Sequence, residues 1–190
     1  MAIGIIFASF FHQFFNFTLI EFSLIVICAF IMDFDIFFSK YAENNNHRML
    51  ISHSVIPSIF ILIIGLILSW SALIIGGIVY IIHVIIDTFD WGTNLFYFPK
   101  KSFGLKILLS KEEERNIEKY MAEYKKPQSF FDFKYYSNKI FIIVEIILFV
   151  LMMLFVILYA FKYILLIILY FLGLAFHLST HLHLKKIESN

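Results

Sequence analysis

Three short stretches of this chain carry residues able to hold a metal ion. They are Asp33-Phe34-Asp35, the run from Asn46-His47-Arg48 to Ser52-His53-Ser54, and His83 with Asp87. His83 and Asp87 are four residues apart, so on a helix their side chains share a face and can grip one ion, although the same spacing also suits an ordinary hydrogen bond. Asp33 and Asp35 alternate as ligands do on an extended or turning backbone. Asp33, Asp35, His47, His53, His83 and Asp87 make six candidate metal ligands, enough for two ions. Mixed carboxylate and imidazole donors suit a divalent transition metal, Zn²⁺ foremost with Mn²⁺ or Fe²⁺ as alternatives, better than oxygen-preferring Mg²⁺. Paired ions of this kind activate water and polarise a phosphoryl oxygen. Arg48 adds a planar fork suited to phosphate and, with Asp87, makes up the catalytic assignment. No separate general base can be named.

Any one of these residues, taken singly, reads equally well as a solvated interface group. Their set has more weight because the background is so apolar. Of the 190 residues 61% are hydrophobic and 15% charged, well below the roughly 25% charge of a soluble domain. Ionisable groups near membrane depth are expensive and tend to mark function. The net charge of +1 gives no electrostatic case for a nucleic-acid partner.

The elements that must position these residues are membrane helices. Apolar runs near 15–32, 53–69, 71–88, 139–160 and 163–181 are long enough for a hydrocarbon layer of roughly 30 Å. The expected fold is therefore an all-α, polytopic helical membrane protein with about five spans and a charged extramembrane helix. That helix opens at Ser110-Lys111-Glu112-Glu113, a capping-box pattern, and runs to about Lys126. Residues 1–190 read as one integral membrane domain with a loop-helix insertion at about 92–138. Five spans put the loops 33–52 and 89–138 and the C-terminal tail on one side, together with every Lys and Arg except Lys162. By the positive-inside rule that side is the cytoplasm and the bilayer is the cell membrane. No Lys or Arg precedes a short apolar core at the N-terminus, so the first segment is expected to be retained. Residues 3–32 are too long for one untilted span and too short for two, and Asn16-Phe17-Thr18 is a possible break, with an interfacial or re-entrant helix before the first full span. A continuous helix would hold His12 about 30 Å from Asp33, whereas a break could fold it back.

Smaller expectations follow from position. Ser52 reads as an N-cap with Pro57 early in the next helix. Asp90 reads as a turn residue or a supporting partner of the ligands, Trp91 as an interfacial anchor and Gly92 as a tight turn. Glu21 is expected near the opposite interface. Glu145 either faces a polar cavity or snorkels. His177, His181 and His183, close to Lys185 and Lys186, read as dipole and interface residues. The lone Cys28 cannot form an internal disulfide.

The constellation resembles the YdjM-like family of membrane-bound, predicted metal-dependent hydrolases, over about residue 12 to Pro99. The family pattern is met by His12, Asp33-Phe34-Asp35, His47-Arg48, Ser52-His53-Ser54, His83 to Asp87, Gly92 and Pro99. It departs at Met32, where the family has proline, at Ser52, where it has threonine, and by one extra residue between His47 and His53. The resemblance implies a hydrolase and adds His12 to the metal ligands. With the chemistry above, it leads to the expectation of a phosphoesterase acting on a membrane lipid or lipid-linked substrate at the cytoplasmic face. A metal-ion or proton transporter and a non-catalytic membrane scaffold are the competing classes. Transporters place ligands near the midplane within repeated halves, and this chain shows span-end ligands and no repeat.

Overall fold

The computed structural model describes residues 1–42, 46–98 and 101–190, so Pro99 lies outside the described residues. Among these the chain is helical throughout, with a single isolated bridge between Thr93 and Phe103 in place of any strand. The apolar start does break at Asn16-Phe17-Thr18. Helix α1 (Ala2–Phe15) ends where Asn16 turns left-handed (φ 48°) and its N–H donates to the His12 carbonyl. Asparagine tolerates that conformation better than most residues. Thr18 and Glu21 then form a complete capping box that starts α2 (Leu19–Cys28). The single span expected at 15–32 is thereby replaced by two short antiparallel helices. Gly4 permits their close approach, since a Cβ there would lie 2.5 Å from that of Ala29.

A long 3-10 helix (Ile31–Tyr41) and two short 3-10 turns (His47–Met49 and Ile51–His53) lead into α3 (Val55–Ile67). Its N-cap is Ser54, which accepts from the Ile56 N–H, and not Ser52 as expected. Pro57 sits in the first turn, where its missing N–H does no harm. Helix α4 (Ser71–Asp90) folds back along α3, and Gly65 and Gly77 let the two backbones meet closely against Ile74 and Leu62. It also packs on α2, where Gly76 faces Cys28. The chain closes with α8 (Lys139–Tyr159), a 3-10 turn (Phe161–Leu166) and α9 (Ile167–Ser189). Ile5, Phe22, Ile25, Val79, Met152 and Val156, all fully buried, belong to the core that joins α1, α2, α4 and α8.

Three segments are long and apolar enough to cross a membrane: Ser71–Asp90, Lys139–Tyr159 and Phe161–Ser189. The apolar helices α1, α2 and α3 are shorter. The last two long segments bury little of themselves within the chain, as lipid-facing helices do.

The expected charged helix opens as predicted, with both capping-box bonds between Ser110 and Glu113 present. It does not continue unbroken. Asn116 divides it into α5 (Lys111–Arg115) and α6 (Ile117–Met121), and its side-chain amide donates to the Glu112 carbonyl. An asparagine that hydrogen-bonds local backbone competes with the helix ladder. Helix α7 (Pro127–Ser137), with proline in its first turn, was not expected. It docks on α9: Asp132 pairs with His181 Nδ1 at 2.5 Å, the His181 ring lies 4.0 Å from that of Tyr136, and Glu188 accepts from the Lys125 and Lys126 N–H groups. His181 thus joins α7 to α9.

Candidate metal centre

The three separated stretches meet at one end of the helix bundle. Helix α4 brings His83 and Asp87 to its C-terminal part, and the turn Ile51–His53, held just before the Ser54 cap, presents His53. The long 3-10 helix supplies Asp33 and Asp35. His83 Nε2 lies 3.2 Å from Asp33 Oδ1 and 3.4 Å from Asp87 Oδ2. His53 Nε2 lies 3.3 Å from Asp87 Oδ2 and 3.8 Å from Asp33 Oδ1. Asp33, His53 and His83 each offer a donor atom, all within 4.8 Å of one another.

The surroundings fix which atoms point inward. His83 Nδ1 is 2.7 Å from the Ala29 carbonyl. A carbonyl can only accept, so Nδ1 carries a proton, and Nε2 is the nitrogen turned to Asp33 and Asp87: protonated it donates to them, and deprotonated it would offer its lone pair to a cation. His53 Nδ1 donates in the same way to Asp35 Oδ2 at 2.7 Å, and the Ser52 hydroxyl donates to the same oxygen. The Tyr80 hydroxyl in turn donates to the Ser52 carbonyl. Asp35, expected as a direct ligand, thus orients the His53 ring through Oδ2, while its Oδ1 is buried without a hydrogen bond. Asp35, His47 and His53 do form a second group of donors within 4.8 Å, but it shares His53 with the first. In this tautomer Nδ1 of that ring has no free lone pair to give. Burial, followed by the neighbouring His53 and Arg48, holds the His47 imidazole below its ordinary range and keeps it neutral.

Arg48 does not stand free for phosphate. Its guanidinium makes a two-pronged bond to Asp90, Nη1 to Oδ1 at 2.6 Å and Nη2 to Oδ2 at 3.1 Å, and Nη2 lies 3.4 Å from Asp87 Oδ1. Burial opposes its charge, yet the facing Asp87 and Asp90 carboxylates more than restore it. Arg48 thus holds one oxygen of Asp87 and leaves the other turned to the imidazoles. Asp90 is the partner of Arg48 first, with the Trp91 N–H as a second donor to Oδ1. Gly92 takes the left-handed turn expected of it (φ 78°). Just beyond, the fully buried Thr93 donates through its hydroxyl to the carbonyls of His53 (2.8 Å) and Arg48 (3.1 Å). The Asn94 N–H also donates to Arg48 O, and the Leu95 carbonyl accepts from Val55 N–H.

His12 does not join this group. It lies at the other end of α1, its ring against Tyr163 (5.2 Å), Phe17 and Phe22. The turn at Asn16 folds α2 back so that Gly4, not His12, meets the Ala29 end, and eight helical residues separate the two by about 12 Å. Glu21 is at the far end as expected, capping Thr18 and accepting from Trp70 Nε1 at 2.8 Å. Glu145 accepts from the Tyr135 hydroxyl at 2.9 Å.

Three of the imidazole–carboxylate contacts have the spacing of ligands on a tetrahedral ion. Zinc–ligand bonds of about 2.0–2.1 Å to nitrogen and oxygen separate tetrahedral donors by about 3.3–3.4 Å, and three of the four separations above fall within 0.2 Å of that range. Three buried atoms of the site, His53 Nε2, Asp87 Oδ2 and Asp35 Oδ1, have no well-aligned hydrogen bond, although the first two face each other as an ion pair at 3.3 Å. Such groups are costly unless something else satisfies them. The residues that sequence reasoning overlooked are those that brace the ligands, Thr93, Tyr80 and the Ala29 carbonyl, and for Asp90, already read as a possible supporting partner, its pairing with Arg48. Asp90 is three residues from Asp87 on the same helix, a spacing from which an acid facing Arg48 could have been inferred. A backbone carbonyl leaves no mark in a sequence. Comparison with protein-family models, curated proteins and solved structures finds no match to this chain.

Proposed function

We propose that this chain is a membrane-bound, metal-dependent hydrolase of phosphoester bonds in a lipid or lipid-linked substrate. The supporting observation is the meeting of His53, His83, Asp33 and Asp87, drawn from three separate stretches of chain, with imidazole–carboxylate separations of 3.2–3.8 Å. One divalent transition ion, zinc by preference, is assigned to that cluster, because His53 serves both donor groups and its Nδ1 is taken by Asp35. When bound, the ion supplies Lewis acidity toward a phosphoryl oxygen and eases the ionisation of water. The chain itself does the positioning. Asp35 and the Ala29 carbonyl set the two tautomers, and Arg48 aims Asp87. Asp33, whose side chain is 54% exposed while that of Asp87 is 8% exposed, marks the side from which substrate enters.

The same residues carry the resemblance to the YdjM-like hydrolases, now without His12 in the ligand set. In the proposed topology the short helices α1, α2 and α3 accompany the three long ones in the bilayer, and the site, the main loop and the C-terminus lie on the cytoplasmic face of the cell membrane. The test is turnover: purified chain is assayed on phospholipids and soluble phosphodiesters, before and after chelation and readdition of Zn²⁺. Hydrolysis that chelation abolishes and metal restores is expected. A stoichiometric cation with no hydrolysis of any phosphoester would contradict the enzyme reading.

A further inference from the structure

The 3-10 helix Ile31–Tyr41 carries Asp33 and Asp35 but leaves most of its large apolar side chains uncovered. In a 3-10 helix residues three apart eclipse one another, so the helix has three edges. One turns inward in its first half through Met32 and Asp35, which are 1% and 7% exposed, before Phe38 and Tyr41 emerge farther along it. Another carries Ile31, Phe34, Phe37 and Lys40, and it faces outward: Phe34 is 52% and Phe37 69% exposed. The rings of Phe34 and Phe37 stack at 6.5 Å and 19°. Three apolar side chains thus line up in register and end on a cation.

We propose that this edge is seated in the boundary between headgroups and acyl chains of the same bilayer that the long helices cross, and that the seat fixes Asp33. Two observations select lipid as the occupant. The segment begins three residues after the apolar α2 and packs its inner edge, through Asp35, on His53, which meets Asp87 near the C-terminal end of the span-length α4. Its outer edge therefore adjoins the lipid-facing surface at the depth where hydrocarbon gives way to headgroups. The order of the edge, aromatic residues followed by Lys40, matches that gradient, since aromatic rings favour the interface and a lysine meets anionic phosphate. Asp33 directly precedes Phe34 and is the more exposed of the two carboxylates facing the imidazoles, so it relies most on an external support. On the hydrolase reading, the phosphate of an amphiphile then reaches the cation from the side without leaving the membrane.

The seat is tested without any cation or turnover, so its failure and that of the hydrolase reading are distinguishable. Full-length Phe37→Trp is reconstituted in phosphatidylcholine–phosphatidylglycerol vesicles, and its emission in excess of wild type, which has Trp70 and Trp91, is followed. Phe34→Trp serves as a second probe. Bromine placed high on the acyl chain should remove more of the added emission than bromine near the chain middle, and aqueous iodide should remove the least. Quenching chiefly by iodide, or chiefly by mid-chain bromine, overturns the proposal.

Discussion

Asp35 decides which nitrogen of His53 faces the centre, and it does so without occupying a donor position itself. Loss of such an outer carboxylate commonly weakens metal binding by about 10–100-fold. Asp35→Ala is therefore expected to lower cation affinity within that range while Asp33, His53, His83 and Asp87 remain in place; competition against a chelator of known affinity measures it. Unchanged affinity would remove Asp35 from the account. At this scale the sequence was informative about residue type but less so about role. The i, i+4 spacing of His83 and Asp87 identified a true pair, because helix geometry alone enforces it. Asp33 and Asp35 look equivalent on paper, yet a three-residue repeat turns one outward and the other in. Arg48 was legible as a cation near acids, but its pairing with Asp90 spans 42 positions and depends on how α4 meets the 3-10 turns.

Among the elements, the loop after α4 matters most to the site. Thr93 ties the carbonyls of His53 and Arg48 to the end of α4, while its own backbone is bridged to Phe103. Thr93→Val keeps the shape and removes the hydroxyl, leaving the buried His53 carbonyl without that donor. A cost of about 1–3 kcal/mol is expected, read as a lower thermal midpoint in detergent, with Thr93→Ser recovering most of it. If valine is as stable as threonine, the clamp contributes nothing. One element start was read from its capping box, at Ser110–Glu113, whereas the same pattern at Thr18–Glu21 was passed over inside an apolar run. The ends were less legible: the break at Asn16 was legible only as a possibility, and Asn116 stops a helix that the charge pattern would have continued. The cap at Ser54 went to the second of two serines in Ser52-His53-Ser54, because the hydroxyl of Ser52 is engaged by Asp35.

For the whole molecule, the apolar excess made a helical membrane protein legible, and length alone separates α4, α8 and the last segment from the shorter helices. How α1, α2 and α3 sit in the bilayer was not legible, because a short apolar helix has the composition of a span without its length. The docking of α7 on the end of α9 puts the charged insertion and the C-terminus together, and the proposed topology makes that side cytoplasmic. A membrane-impermeant maleimide should label Lys111→Cys and Asn190→Cys only from the cytoplasmic side, with little background from the buried Cys28. Labelling of the two from opposite sides would refute that arrangement.

The most direct test of the centre is elemental analysis of the purified full-length chain beside His83→Ala and Asp87→Ala. Near-stoichiometric divalent transition metal is expected in the wild type, with most of it lost in each variant. A wild type without metal, or variants that retain the full amount, would contradict the ligand set on which the rest depends.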